Sequence, residues 1–186
     1  MQRSTISPDQ IIAATRHWLE AAVIGLDLCP FARPVHAQDL IRYAVSPAET
    51  TEQLLADLLR ELQILAEAEA AEIETTLLIH PGTLADFLDY NDFLDVAEAA
   101  IEDLGLDGVI QIASFHPQYQ FAGTAPDDIE NYTNRSPYPV LQLLREASVE
   151  RAVAAFPDTA RIFEKNIETL RRLGLDGWKR LNVTPR

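Results

Sequence analysis

Two apolar runs in this chain end on the same pair of residues: Thr76-Leu77-Leu78-Ile79-His80-Pro81 and Ile110-Gln111-Ile112-Ala113-Ser114-Phe115-His116-Pro117. Imidazole titrates near neutrality and is a common ligand for Zn and Fe, so His80 and His116 are candidates for acid–base catalysis or for a metal site. The only thiol, Cys29, lies in Leu26-Asp27-Leu28-Cys29-Pro30-Phe31-Ala32-Arg33. A Zn or Fe ion held by His80, His116 and Cys29 is one arrangement open to these residues, since metal binding deprotonates the thiol. Another makes Cys29 a nucleophile with His116 as its base. Against that stands the position of Cys29, which reads as the C-terminal end of a helix, where the dipole opposes a thiolate. No HExxH motif, paired-cysteine spacing or glycine-rich phosphate loop accompanies these residues.

The densest polar cluster is Asn131-Tyr132-Thr133-Asn134-Arg135-Ser136-Pro137-Tyr138-Pro139. Two prolines stiffen it, so Arg135 can be held in a fixed pose beside Asn134, Ser136 and Tyr138. A helix expected to begin near Val140 would add free N–H donors, and together these groups suit a small anionic molecule. The structural alternative pairs Arg135 with Asp127, Asp128 or Glu130. Asp86, Asp89, Asp92 and Asp95 lack the spacing and the glycine of an EF-hand loop and read as a solvated helix. His17 has no strong context; His36 lies near Cys29 in sequence.

The elements that must position these groups follow from periodicity. Ser7-Pro8-Asp9 starts a helix that continues through Ile11, Trp18, Val23 and Leu26 and stops before Cys29-Pro30. Leu40 to Val45 is a first strand. Glu49 to Ala71 carries Leu54, Leu55, Leu58, Leu62 and Leu65 as one stripe, the mark of an amphipathic helix. Thr75 to Ile79 is a second strand, Thr83 caps a helix over Leu84 to Leu104, and Val109 to Phe115 is a third strand. Tyr119 to Ala122 is a candidate fourth. Gly105-Leu106-Asp107-Gly108 recurs at Gly174 to Gly177 and reads as one helix stop used twice, with glycine in the left-handed position. The β-α-β-α-β order predicts a small, mainly parallel sheet flanked by helices, with a helical C-terminal part. His80 and His116 then stand at one C-terminal sheet edge, where open α/β sheets bind ligands.

Composition bounds the function. The 186 residues suggest one α/β domain over 1–186, with a 47% hydrophobic fraction ordinary for a globular chain. A net charge of −14 argues against nucleic acid, which needs a basic patch. No run reaches the ~18–20 apolar residues of a membrane span, no signal peptide is recognisable, and one cysteine fits the cytoplasm. Sixteen acids against one base between Ser46 and Gly108, followed by a mildly basic tail, read as solvated helix faces, with self-association as the other option.

Val23-Ile24-Gly25-Leu26-Asp27-Leu28-Cys29-Pro30-Phe31-Ala32, Ala113-Ser114-Phe115-His116-Pro117, Phe121-Ala122-Gly123-Thr124-Ala125-Pro126-Asp127-Asp128 and Asn134-Arg135-Ser136-Pro137-Tyr138-Pro139 resemble the hallmark blocks of a bacterial domain-of-unknown-function family, number 1415. The resemblance implies no activity or cofactor. The residues themselves favour a small-molecule enzyme, with hydrolase chemistry as one option, using His80 and His116 with or without Cys29 and placing Arg135 on an anionic substrate. A thiol enzyme using Cys29 with His116, or a non-catalytic interaction domain with an acidic face, are the alternatives.

Overall fold

The computed structural model describes residues 6–155 and 159–184. Its first helix, α1 (Pro8–Trp18), starts at a capping box: the Ser7 hydroxyl accepts from the Gln10 N–H, and the Gln10 side chain accepts from the Ser7 N–H. That exchange satisfies two otherwise unpaired donors. A π-helical segment, Leu19–Ile24, extends it, and a short α2 (Ala32–Ala37) follows. Next come β1 (Ile41–Val45), α3 (Thr51–Glu67), β2 (Thr75–Ile79), α4 (Phe87–Asp103) and β3 (Ile110–Phe115). After a 3-10 turn at Ile129–Thr133 the chain forms β4 (Val140–Arg145), α5 (Glu146–Ala155) and α6 (Thr159–Arg180).

The sheet is mixed, not mainly parallel. Its order is β1-β2-β4-β3, with β1 parallel to β2 and β4 antiparallel to both β2 and β3. The helix expected from Val140 is this fourth strand, whereas Tyr119 to Ala122 is irregular. The expected order of β2 and β3 nevertheless holds in one respect: both run the same way, and both end on one sheet edge. There Val140 stands opposite Ile79 on one side and Phe115 on the other.

Side-chain alternation divides the sheet into two faces. Ala44, Leu78, Ile110, Ile112, Leu141 and Leu143 pack against α3 and α4. Leu54, Leu58, Leu62 and Leu65 of α3 are wholly buried there, as the stripe predicts. Thr83 does not cap α4. Asp86 does, accepting from the Leu88 and Asp89 N–H groups, while the Thr83 hydroxyl donates to the Ala48 carbonyl. On the other face Leu77, Ile79 and Val140 meet Ile11 of α1, and Trp18, Leu28, Leu170 and Trp178 join α1 to α6. Gly105 takes φ +65° directly after α4, the left-handed conformation expected of a helix stop, whereas Gly174 combines φ +65° with ψ 172° inside α6 and kinks that helix instead of ending it. Among the described residues no helix is long and apolar enough to cross a membrane.

Tyr90 of α4 pins this arrangement from beneath. Its hydroxyl donates to the Val140 carbonyl at 2.7 Å and accepts from the Phe115 N–H at 3.1 Å, where β3 and β4 meet the sheet edge. Replacing Tyr90 with Phe leaves both backbone groups unpaired in a buried setting. Urea unfolding of Tyr90→Phe should show a loss of about 2 kcal/mol; an unchanged midpoint would mean that the hydroxyl contributes nothing.

Candidate functional site

His80 and His116 follow β2 and β3 directly and point toward the α3/α4 layer, both fully buried. The ring of Tyr90 sits against each, with centroids 5.8 Å from His80 and 5.0 Å from His116. Hydrogen bonds fix both tautomers. A carbonyl can only accept, so the 3.1 Å contact to the Thr83 oxygen places the His80 proton on Nδ1; Nε2 is a buried lone pair with no partner among the described residues. For His116 the Gln118 N–H donates to Nδ1 at 3.0 Å, and Nε2–H donates to the Leu84 carbonyl at 3.1 Å.

Burial pushes His80 down to about 4, with the Thr83 carbonyl opposing the shift and nearby His116 adding to it. Burial also lowers His116, against the pull of the Leu84 carbonyl and Asp86. Both rings are therefore neutral near pH 7. The expected Zn or Fe site finds no support in this geometry. His116 has no free ring nitrogen, and among the described residues no group of three or more His, Cys, Asp or Glu side chains is placed to hold a metal ion.

Cys29 lies on the other side of the sheet, packed with Trp18, Phe115 and Tyr132. The sheet separates it from both imidazoles, so the structure does not bring His116 to it as a base. Burial pushes the thiol up, partly offset by the Phe31 and Ala32 N–H groups and reinforced by Asp27. The expectation of an unactivated thiol thus keeps its direction but changes its cause. The π-helical segment ends at Ile24, before Cys29, and desolvation is the largest cause of the shift. His36 faces Glu20 at 3.2 Å, and His17 contacts the Leu181 carbonyl.

The loop from Asn134 to Pro139 does reach the histidine edge. The His80 N–H donates to the Pro139 carbonyl and the His116 N–H to that of Asn134. Arg135, however, is bound within the protein. Its guanidinium donates to the Tyr119 and Pro126 carbonyls and lies over the Tyr132 ring, 4.2 Å from the centroid. Its own carbonyl accepts from the Trp18 indole. Ser136 donates to the Tyr138 carbonyl, Asn134 donates to that of Ser114, and Tyr138 packs beside Ile79 and Val140. Since β4 replaces the helix expected at Val140, the free N–H donors counted toward an anion site are not there.

Sequence reasoning missed a cavity of about 510 Å³ on the Cys29 side of the sheet. Leu77, Ala113, Phe115 and Gln142 form its floor; Val149, Ala152 and Val153 of α5 and Ile162, Phe163 and Asn166 of α6 roof it. Trp18, Leu19 and Val23 close one side, and Leu28 and Cys29 lie along the wall. Asn166 donates to the Leu28 carbonyl at 2.7 Å. The signal available in the sequence was Val149, Ala152 and Val153 at i, i+3 and i+4 spacing on one helix face, together with Gln111 and Gln142 flanked by apolar strand neighbours.

Fold and cavity together define a three-layer α/β protein on a mixed four-stranded sheet, with a ligand-sized apolar cavity on one face. The chain belongs to the family of proteins of unknown function DUF1415, whose model matches residues 10–180. Comparison with curated proteins and with solved structures finds no match.

Two measurements check the electrostatics. The folded-state pKa of His80 lies below the unfolded value of ~6.5, so the unfolded chain binds more protons between the two values. Stability is complete above pH 6.5 and falls toward pH 4, by on the order of 3 kcal/mol for this group. Urea unfolding from pH 7 to pH 4 should show that slope, and His80→Gln should flatten it. For Cys29, iodoacetamide should react more slowly at pH 7 than with a free thiol and accelerate only above the ordinary thiol pKa of ~8.5. Rapid labelling at pH 7 would contradict the assigned burial.

Proposed function

We propose that this protein binds a small, predominantly apolar molecule in the cavity between the sheet and α5 and α6. One observation carries the reading: α5 has no buried residue, yet Val149, Ala152 and Val153 face a volume of about 510 Å³ floored by the sheet. Protein interiors pack to crystal-like density, with few voids larger than a water molecule. A volume of this size against the main sheet lies within the ~300–1,000 Å³ typical of ligand sites. Val153 and Phe163 also remain 41% and 54% exposed, which sets apolar side chains beside the cavity where an entering ligand would meet them.

This reading keeps the small molecule expected from the sequence and moves its site. The histidine edge is closed by backbone partners and by Tyr90. Cys29 is the nucleophilic side chain on the cavity wall, and its raised pKa favours binding over thiol catalysis at neutral pH.

N-phenyl-1-naphthylamine, an uncharged dye that fluoresces in apolar surroundings, tests the proposal. Its emission should rise saturably with one dye per chain. Ala113→Phe, which builds a ring up from the floor, should weaken binding at least tenfold while the variant still melts cooperatively. No saturable binding, or equal binding by a folded Ala113→Phe, would refute the cavity as a ligand site.

A further inference from the structure

We infer that the ligand is an uncharged molecule that presents a hydrogen-bond donor, a hydroxyl or an amide N–H, to Gln142 on the cavity floor. This rests on the cavity being a ligand site and specifies what that site selects. Gln142 sits on β4 between Leu77 of β2 and Ala113 of β3, a polar side chain on an apolar floor. The orientation of its amide is fixed by hydrogen-bond balance. Thr75 Oγ1 is 2.7 Å from the Leu143 carbonyl and must donate its one proton there. The same oxygen lies 3.2 Å from Gln142, so it accepts, and the Gln142 group facing it is Nε2. Gln142 Oε1 is thereby turned away from Thr75, and among the described residues it has no partner.

A half-buried acceptor held in one orientation by a two-step hydrogen-bond chain is selective. An apolar ligand that covered it would strip its solvent and return nothing, whereas a ligand donor replaces the lost bond. The Gln111 side chain lines the same floor and also has no hydrogen-bond partner among the described residues.

Charge narrows the class further. Among the described residues lining the cavity Glu74 is the single charged side chain, with Arg151 of α5 at 3.6 Å. No cation among the described residues lines the volume, so an anion there would lose its hydration without a counter-ion from them, inside a protein of net charge −14. The anionic ligand expected from Arg135 does not match this cavity.

Three probes of one shape test the inference: 4-pentylphenol, which donates; 4-pentylanisole, which only accepts; and 4-pentylbenzoate, which is anionic. Each is titrated by displacement of N-phenyl-1-naphthylamine from the full chain. The phenol should bind about tenfold more tightly than the anisole, and the benzoate more weakly than either. Gln142→Met, close in shape and without the acceptor, should bring the phenol down to the anisole while leaving anisole binding intact, which also shows that the variant is folded. Equal binding of phenol and anisole to the wild type, tightest binding of the benzoate, or a phenol preference that survives Gln142→Met would each overturn the donor assignment while leaving the cavity a ligand site. If the dye binds and none of the three probes displaces it, the assignment of this ligand class also fails. If the dye itself does not bind, the cavity reading fails first.

Discussion

The backbone hydrogen-bonding requirement of β2 and β3 governs this structure. The two strands run the same way but are separated by one strand width, so each presents an unpaired row of N–H and C=O groups to the gap. Buried groups of that kind are rarely left unpaired. β4 satisfies both rows at once, pairing from Val140 to Leu144 with β2 and from Val140 to Arg145 with β3. To enter antiparallel it must start at the edge where β2 and β3 end, so the chain after His116 has to double back along that edge. The backbone N–H groups of His80 and His116 then bond to the returning segment, and their rings close over Tyr90. What the strand order alone makes look like an open cleft is a sealed joint.

The two faces of the sheet are finished differently. On one, α3 and α4 each bring a full apolar stripe, and Arg42 holds the buried carboxylate of Glu61 at 2.7 Å. On the other, α1 covers only part of the sheet, and α5 and α6 lie over the remainder. Lys165 with Asp27 and Arg171 with Glu130 tie α6 to the rest, but exposed pairs of this kind are worth only about 0–1 kcal/mol. Apolar contacts do more: Leu170 and Trp178 are buried with Trp18 and Leu28. Those contacts anchor the later part of α6 and leave Ile162 and Phe163, near its start, facing the cavity.

Polar side chains follow the same division. On the α3/α4 face Tyr90, Thr83 and His116 have their hydrogen bonds completed by backbone groups, which stiffens the edge. Across the sheet, Gln142 and Gln111 retain unused bonding capacity beside a space large enough for a ligand. Unused capacity next to accessible volume is what a recognition site requires.

Local pattern alone determined much of this chain. The leucine stripe of α3, the helix start at Ser7, the extent of β2 at Thr75 to Ile79 and the helix stop at Gly105 are all legible, because each is marked by residue types a few positions apart. So is the shared edge of His80 and His116, which follows from two like-directed strands. The identity of β4 is not legible. Val-Leu-Gln-Leu-Leu-Arg suits a helix on propensity, and only the vacant slot between β2 and β3 makes it a strand, a nonlocal demand that overrides the local preference. The site depends on the same demand. Without β4 neither the sealing of the histidines nor the placement of Gln142 on the cavity floor can be foreseen, because both arise from strands brought together across long stretches of chain.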